Sequence, residues 1–230
     1  AVERKARIAV FPELCVTAYT CGDLFLQPEL LRAAETELRR IVEYTAEAPI
    51  TAIVGMPVAA GNAIYNCAVA VAQGEIKGVV PKSFIPNYSE FYEVRWFESG
   101  ANAPLGEVEL VGRKVPFGTD LLFTLNGVGF GMEICEDLWT PVPPSSYQAV
   151  GGAELLFNLS ASPEVIGKHD YLVDLVRQQS ARTSSAYVYV SSGFGESSTD
   201  LVFAGNGIIA ENGSVIACAE RFDISERMVT

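Results

Sequence analysis

Apolar residues along this sequence gather in short runs bounded by Gly, Pro or Asn, and in longer stretches with helical spacing. The short runs read as buried strands. They cover residues 7–11, 50–55, 64–73, 76–80, 121–125, 128–134, 154–159 and 186–190, with shorter ones at 201–203, 207–210 and 215–218. One helix starts at Gln27-Pro28, where proline suits the first turn. It carries Leu30, Leu31, Leu38, Ile41 and Val42 near a 3.6 period and stops before Pro49. Another is entered from the proline-rich residues 139–146, and a third covers 170–185 with Leu172, Leu175 and Val176 on one face.

Turn chemistry joins some neighbours directly. Gly74-Glu75 folds 64–73 onto 76–80, Asn126-Gly127 is a strong type I′ hairpin signal, and Asn-Gly recurs at 206–207 and 212–213. Residues 83–106, rich in aromatics, prolines and asparagines, are expected to form a long ordered loop, with or without a short helix. Loops of this length in a compact domain usually serve function. Strands alternate with helices, yet hairpins interrupt the alternation. This points to mixed sheets covered by helices and away from a purely parallel doubly wound sheet. No internal repeat and no low-complexity segment is present.

Composition narrows the class. At 230 residues, 49% hydrophobic and 19% charged, the protein is long enough to bury a sizeable core as one large domain or two small ones, and disorder does not fit. A net charge of −12, with no Lys/Arg run longer than two, argues against nucleic acid. No segment has the roughly 18 apolar residues of a membrane span. No signal peptide is expected from the residues before the first strand. Cysteines 15, 21, 67, 135 and 218 are odd in number and lack CxxC or Cys/His metal spacing, which fits a reducing, cytoplasmic setting. The absence of an initiator Met suggests a fragment.

A single histidine, His169, restricts the chemistry further. Zinc hydrolases usually draw on two or more, and any Cys-His or Ser-His-Asp site would have to use this one. A hydrolase here would use another base. His169, beside Lys168 at a helix start, reads as polar and non-catalytic.

Three apolar runs end at reactive residues: Glu13, Lys82 and Cys135. Each has an ordinary reading. Glu13 after Pro12 suits a helix cap, Lys82 a solvated strand end, and Cys135 a small buried hydrophobe. Taken together they form a coherent set. If their strands share a sheet, the three groups converge at one rim, within about 3–5 Å of one another. The carboxylates Glu136 and Asp137 beside Cys135 disfavour its thiolate, so the thiol needs a base, which Glu13 supplies if burial raises its pKa. Lys82 would stabilise the oxyanion formed when sulfur attacks a carbonyl.

Phe11-Pro12-Glu13-Leu14, Pro81-Lys82 and Glu133-Ile134-Cys135-Glu136-Asp137 resemble the Glu-Lys-Cys signature of the nitrilase, or carbon–nitrogen hydrolase, superfamily. Longer blocks at 12–25, 81–97 and 158–163 resemble one branch of it, the glutamine-hydrolysing domains of NAD synthetases, and the similarity covers nearly the whole sequence. The resemblance implies an α/β fold, a four-layer α-β-β-α sandwich with two mixed sheets, whose helix faces pair it with a second copy in a homo-oligomer. It implies that Cys135 attacks the side-chain amide of L-glutamine, that Glu13 shuttles the proton, and that Lys82 and the N–H after Cys135 hold the oxyanion. Glu93 would support Lys82, although on its own it reads as a solvent-facing loop charge. Tyr88, Glu136, Ser162 and Lys168 would hold glutamine. On their own, Tyr88 is loop packing and Ser162 a turn residue, while Asp137 keeps a structural role.

By the same resemblance, 1–230 is a glutamine amidohydrolase domain lacking its first strand and last strands. The synthetase domain, with its ATP and magnesium, would lie outside these residues, and no cofactor or metal is expected within them. Ser192-Gly-Phe-Gly-Glu-Ser-Ser198 faintly resembles a pyrophosphate-binding loop, but Phe194 replaces its second glycine, and residues 200–205 match late strands of the hydrolase domain. It is rejected as an ATP site. Two other readings stay open: a free-standing amidase acting on another small amide, and a non-catalytic assembly scaffold.

Overall fold

A computed structural model describes residues 1–104, 106–197, 201–225 and 228–230. The protein forms two compact units, residues 1–121 and 122–230. Each is built on a six-stranded mixed sheet.

The first unit contains β1 (Ile8–Val10), α1 (Pro28–Glu47), β2 (Thr51–Ala60), β3 (Ala63–Ala72), β4 (Glu75–Pro81), β5 (Gly106–Leu110) and β6 (Arg113–Phe117). Its sheet order is β1-β2-β3-β4-β6-β5, with β1–β2 and β4–β6 parallel and the other pairs antiparallel. Helix α1 starts as expected at Pro28. It ends because Ala48, the residue before Pro49, is forced into an extended conformation (φ −101°, ψ 132°). Its buried face is Ala34, Leu38 and Thr45, with Ile41 and Val42 packed against the same core. Val54, Met56, Cys67, Val69, Val79 and Phe117 fill that core.

Two features differ from the sequence reading. Strand β2 runs five residues beyond 55, through Pro57, and pairs with β3 from Thr51↔Ala72 to Ala60↔Ala63. Proline is tolerated because Gly55 already points away from β3, bonding Cys15 and Val16, and Pro57 faces the same way past the end of β1. The second difference is the β5–β6 hairpin. Its buried residues Val108, Leu110, Val115 and Phe117 alternate with exposed ones, and Val111 and Gly112 take positive φ at the turn. Residues 83–104 form the expected loop, with short 3-10 helices at Glu93–Arg95 and Gly100–Asn102.

The second unit contains β7 (Phe123–Leu125), β8 (Val128–Ile134), α2 (Pro144–Val150), β9 (Leu155–Ser160), α3 (Lys168–Thr183), β10 (Ala186–Ser191), β11 (Gly207–Glu211) and β12 (Ser214–Cys218). Strands β8, β9 and β10 are parallel and central, flanked by antiparallel β7 on one side and β11–β12 on the other. The type I′ turn at Asn126-Gly127 forms with both φ values positive, as does Asn212-Gly213. Asn206-Gly207 is not a hairpin turn: Asn206 precedes β11, and its amide bonds Glu164 and His169. Residues 201–203 are not a strand. Val202 C=O accepts from Glu164 N–H, and Ala204 C=O from Phe222 N–H, so this segment bonds loops in place of a ladder. Ser198 and Asp200 lie outside the described residues. Among the described residues no helix is long and apolar enough to cross a membrane.

Candidate active site

The strand ends carry the reactive groups where the sequence puts them. Glu13 follows β1, Lys82 follows β4 and Cys135 follows β8. The three strands do not share a sheet, however: β1 and β4 belong to the first and β8 to the second. The β2–β3–β4 meander ties Lys82 to the sheet of Glu13. Within the second unit, the parallel β8–β9 pair, which needs the α2 crossover, places Cys135 at its end.

In the first unit Glu13, Lys82 and Glu93 are one buried cluster. Lys82 Nζ lies 2.8 Å from Glu13 Oε1 and 2.9 Å from both oxygens of Glu93. The Lys82 side chain is 0% exposed and that of Glu93 1% exposed, so neither is a solvated charge. Glu13 accepts from Lys82 and from Asn66 Nδ2, at 2.6 Å, and caps no helix. Burial pushes the Glu93 carboxyl above its usual range; the Lys82 ammonium counters this, and the Glu13 carboxylate adds to it. Two carboxylates and one ammonium removed from water are costly to maintain, and packed apolar residues would often be as stable. Such a buried charged cluster is a candidate for chemistry.

Two residues without a role in the sequence reading complete the cluster. Tyr19 donates its hydroxyl to Glu93 Oε1 at 2.9 Å. Asn66 ties the acid to the lysine: its amide bonds Glu13, and its backbone carbonyl accepts from Lys82 N–H at 2.8 Å. Asn66 gives a faint sequence signal, an amide inside an otherwise apolar strand. Tyr19 gives none. Close backbone approach fixes the frame. A Cβ at Gly55 would lie 2.3 Å from Leu14 N, and one at Gly100 would lie 2.8 Å from Lys82 O.

In the second unit Cys135 sits at a sharp turn between β8 and a short 3-10 helix, Cys135–Trp139. Its φ is +45°, a left-handed conformation that costs an L-residue about 1–2 kcal/mol. Such strain persists where neighbours over-determine it, and it clusters at functional sites. Asp137 Oδ2 accepts from Ile134 N–H at 2.9 Å, the structural role expected of it. Asn158 Oδ1 accepts from Cys135 N–H at 3.2 Å.

The remaining candidates divide between the units. Glu136, half-buried, follows Cys135 in the second unit. Ser162 is buried, and its N–H donates to Ser191 Oγ at 3.1 Å. Lys168 Nζ donates to Pro163 C=O at 2.8 Å and lies 5.2 Å from the Trp139 ring centre. Tyr88, exposed in the first unit, packs edge-on against Phe91. His169 Nδ1 faces Asn206 Oδ1 at 3.1 Å. Among the described residues no three His, Cys, Asp or Glu side chains gather as a metal would require.

Residues 1–225 match the carbon-nitrogen hydrolase family. The sequence is 44% identical over 220 residues to the glutamine-dependent NAD(+) synthetase of Mycobacterium tuberculosis, which covers 94% of this protein and 32% of that one. The crystal structure of a glutamine-dependent NAD(+) synthetase from Cytophaga hutchinsonii superposes with a TM-score of 0.88 at 30% identity, over 100% of this protein and 38% of that one. An amidase from Nesterenkonia sp. shares the fold, with a TM-score of 0.74 at 18% identity over 95% of this protein and 74% of that one. The sequence spans about a third of the length of the curated relatives it matches. With a nitrilase-type α/β fold of two mixed sheets and a family match over nearly its whole length, this protein belongs to the carbon-nitrogen hydrolases.

Proposed function

We propose that these residues are the glutamine-hydrolysing part of a glutamine-dependent NAD(+) synthetase, and that Glu13, Lys82 and Cys135 act together. Cys135 Sγ attacks the amide carbon of L-glutamine while its proton passes to Glu13. Lys82 and the N–H of Glu136 hold the oxyanion. The C–N bond breaks, Glu13 returns the proton to the departing nitrogen, and ammonia leaves a γ-glutamyl thioester. Water, deprotonated by Glu13, then cleaves the thioester to glutamate and restores the thiol. Glu93 supports Lys82. Tyr88, Glu136, Ser162 and Lys168 hold the substrate, and the carboxylate of Glu136 and ammonium of Lys168 match the two charges of an α-amino acid.

The ammonia would serve an ATP-dependent amidation of nicotinic acid adenine dinucleotide by a synthetase domain of the same polypeptide. No residue among these 230 is assigned to ATP or magnesium. The assembly would be a cytoplasmic homo-oligomer.

The observation that carries this reading is the buried Glu13–Lys82–Glu93 cluster in a protein 44% identical to a glutamine-dependent synthetase. An amidase from Nesterenkonia sp. shares the fold at 18% identity. The test is ammonia release from glutamine by the full-length protein and its Cys135→Ala variant. Wild type is expected to release ammonia, and the folded variant none above background. Hydrolysis retained by the variant would remove Cys135 from the mechanism. A wild type that ignores glutamine but cleaves simple aliphatic amides would favour the amidase.

A further inference from the structure

Glu133, Asn158 and Tyr189 stand in register across the parallel strands β8, β9 and β10, in the row two residues before Cys135. All three are buried. Asn158 reaches forward from this row and straddles the Cys135 peptide unit. Its Oδ1 accepts from Cys135 N–H at 3.2 Å, and its Nδ2 lies 3.5 Å from Cys135 C=O. The Cys135 N–H can only donate and its C=O only accept, which sets the orientation of the amide, and Ser160 Oγ donates to the same Oδ1 at 2.8 Å.

The row is anchored from behind. Glu133 accepts from the Tyr187 hydroxyl and from Ser145 N–H. Ser145 Oγ in turn accepts from Gln179 Nε2 at 2.9 Å, which links the network to α3. The backbone ladder between β8 and β9 ends at Ile134↔Leu159. At this end polar side groups take over: Asp137 takes the N–H of Ile134, and Asn158 that of Cys135. The next donor along the turn is the N–H of Glu136.

We infer that Asn158 is a positioning residue: its amide clamps the Cys135 backbone in the left-handed conformation, so that Sγ and the N–H of Glu136 keep a fixed mutual aim. The inference rests on the proposed glutamine hydrolysis for its turnover readout. It rests on geometry within the second unit for everything else. A left-handed cysteine relaxes readily when its neighbours release it. The conformation would then be lost without any loss of substrate-binding groups.

The test uses the full-length protein with Asn158→Ala and Ser160→Ala. Ser160→Ala keeps both Asn158 contacts to Cys135 but loosens the amide, and it serves if Asn158→Ala fails to fold. Three quantities are read: kcat, KM for glutamine, and the rate at which iodoacetamide alkylates Cys135. Asn158→Ala is expected to lower kcat about 100-fold with KM held within about threefold, and Ser160→Ala to lower kcat about tenfold. Alkylation, which needs no amino-acid recognition, is expected to change in both. A folded Asn158→Ala protein with wild-type kcat, or a loss confined to KM, would overturn the inference. If wild type does not hydrolyse glutamine, the proposed function fails and alkylation alone decides the clamp: equal rates in wild type and both variants would overturn it.

Discussion

Tyr19 gives its hydroxyl hydrogen to a buried carboxylate, Glu93, that must stay ionised to pair with Lys82. Burial pushes the Glu93 pKa up, and the Tyr19 and Lys82 hydrogen bonds pull it down. Removing the hydroxyl by Tyr19→Phe therefore moves Glu93 further toward its neutral form at a given pH. A hydrogen bond to a charged group contributes about 1.5–3 kcal/mol, so turnover at neutral pH should fall about tenfold or more. The acidic limb of the pH–kcat profile should shift to higher pH, because more alkaline solution is needed to ionise Glu93. A profile that drops in height with its acidic limb unmoved would show that Tyr19 acts by packing alone. At this scale the sequence is only partly legible. Glu13, Lys82 and Cys135 stand out because each ends an apolar run. Tyr19 and Asn158 do not, because their partners lie 74 and 23 residues away.

Among the elements, β2 has most to do with placing Glu13. Its Gly55 lies against the backbone of Pro12–Leu14, where Leu14 itself takes φ +51°. A methyl group there would sit 2.3 Å from Leu14 N and 2.7 Å from Pro12 O, and backbone cannot swing aside as a flexible side group can. Gly55→Ala should cost about 1–3 kcal/mol or more by overpacking. It should also displace Glu13, lowering turnover in the remaining folded protein about 100-fold. Urea unfolding and ammonia release measure the two effects, and wild-type stability would contradict the close approach. The element pattern is well marked where strands end in turn residues, as at Asn126-Gly127. It is also present in the alternation of Val108, Leu110, Val115 and Phe117, which the sequence reading leaves unassigned. The extension of β2 through Pro57 could not be read locally, since it depends on where β1 stops.

For the whole molecule, the reactive groups are shared between two units. Glu13, Lys82 and Glu93 lie in the first and Cys135 in the second. If they work as one mechanism, single losses should not add. Glu13→Gln and Cys135→Ala should each bring ammonia release in the full-length protein down by similarly large factors, and the double variant should be no slower than the slower single. A double variant slowed by the product of both factors would mean that the residues act independently.

The local sequence by itself determined that apolar strands stop shortly before Glu13, Lys82 and Cys135, along with the turns at 126–127 and 212–213 and the helix bounded by Pro28 and Pro49. These follow from short-range sterics and the period of apolar residues. The tertiary structure decided which of those groups meet and in what state. It buried Glu93 against Lys82, although its local sequence resembles a surface loop. It split the reactive strand ends between two sheets, and it held Cys135 left-handed through an amide on a neighbouring strand. Each of these depends on groups brought together by long-range pairing and removed from water, where an unpaired charge or a strained φ persists only because its surroundings compensate for it.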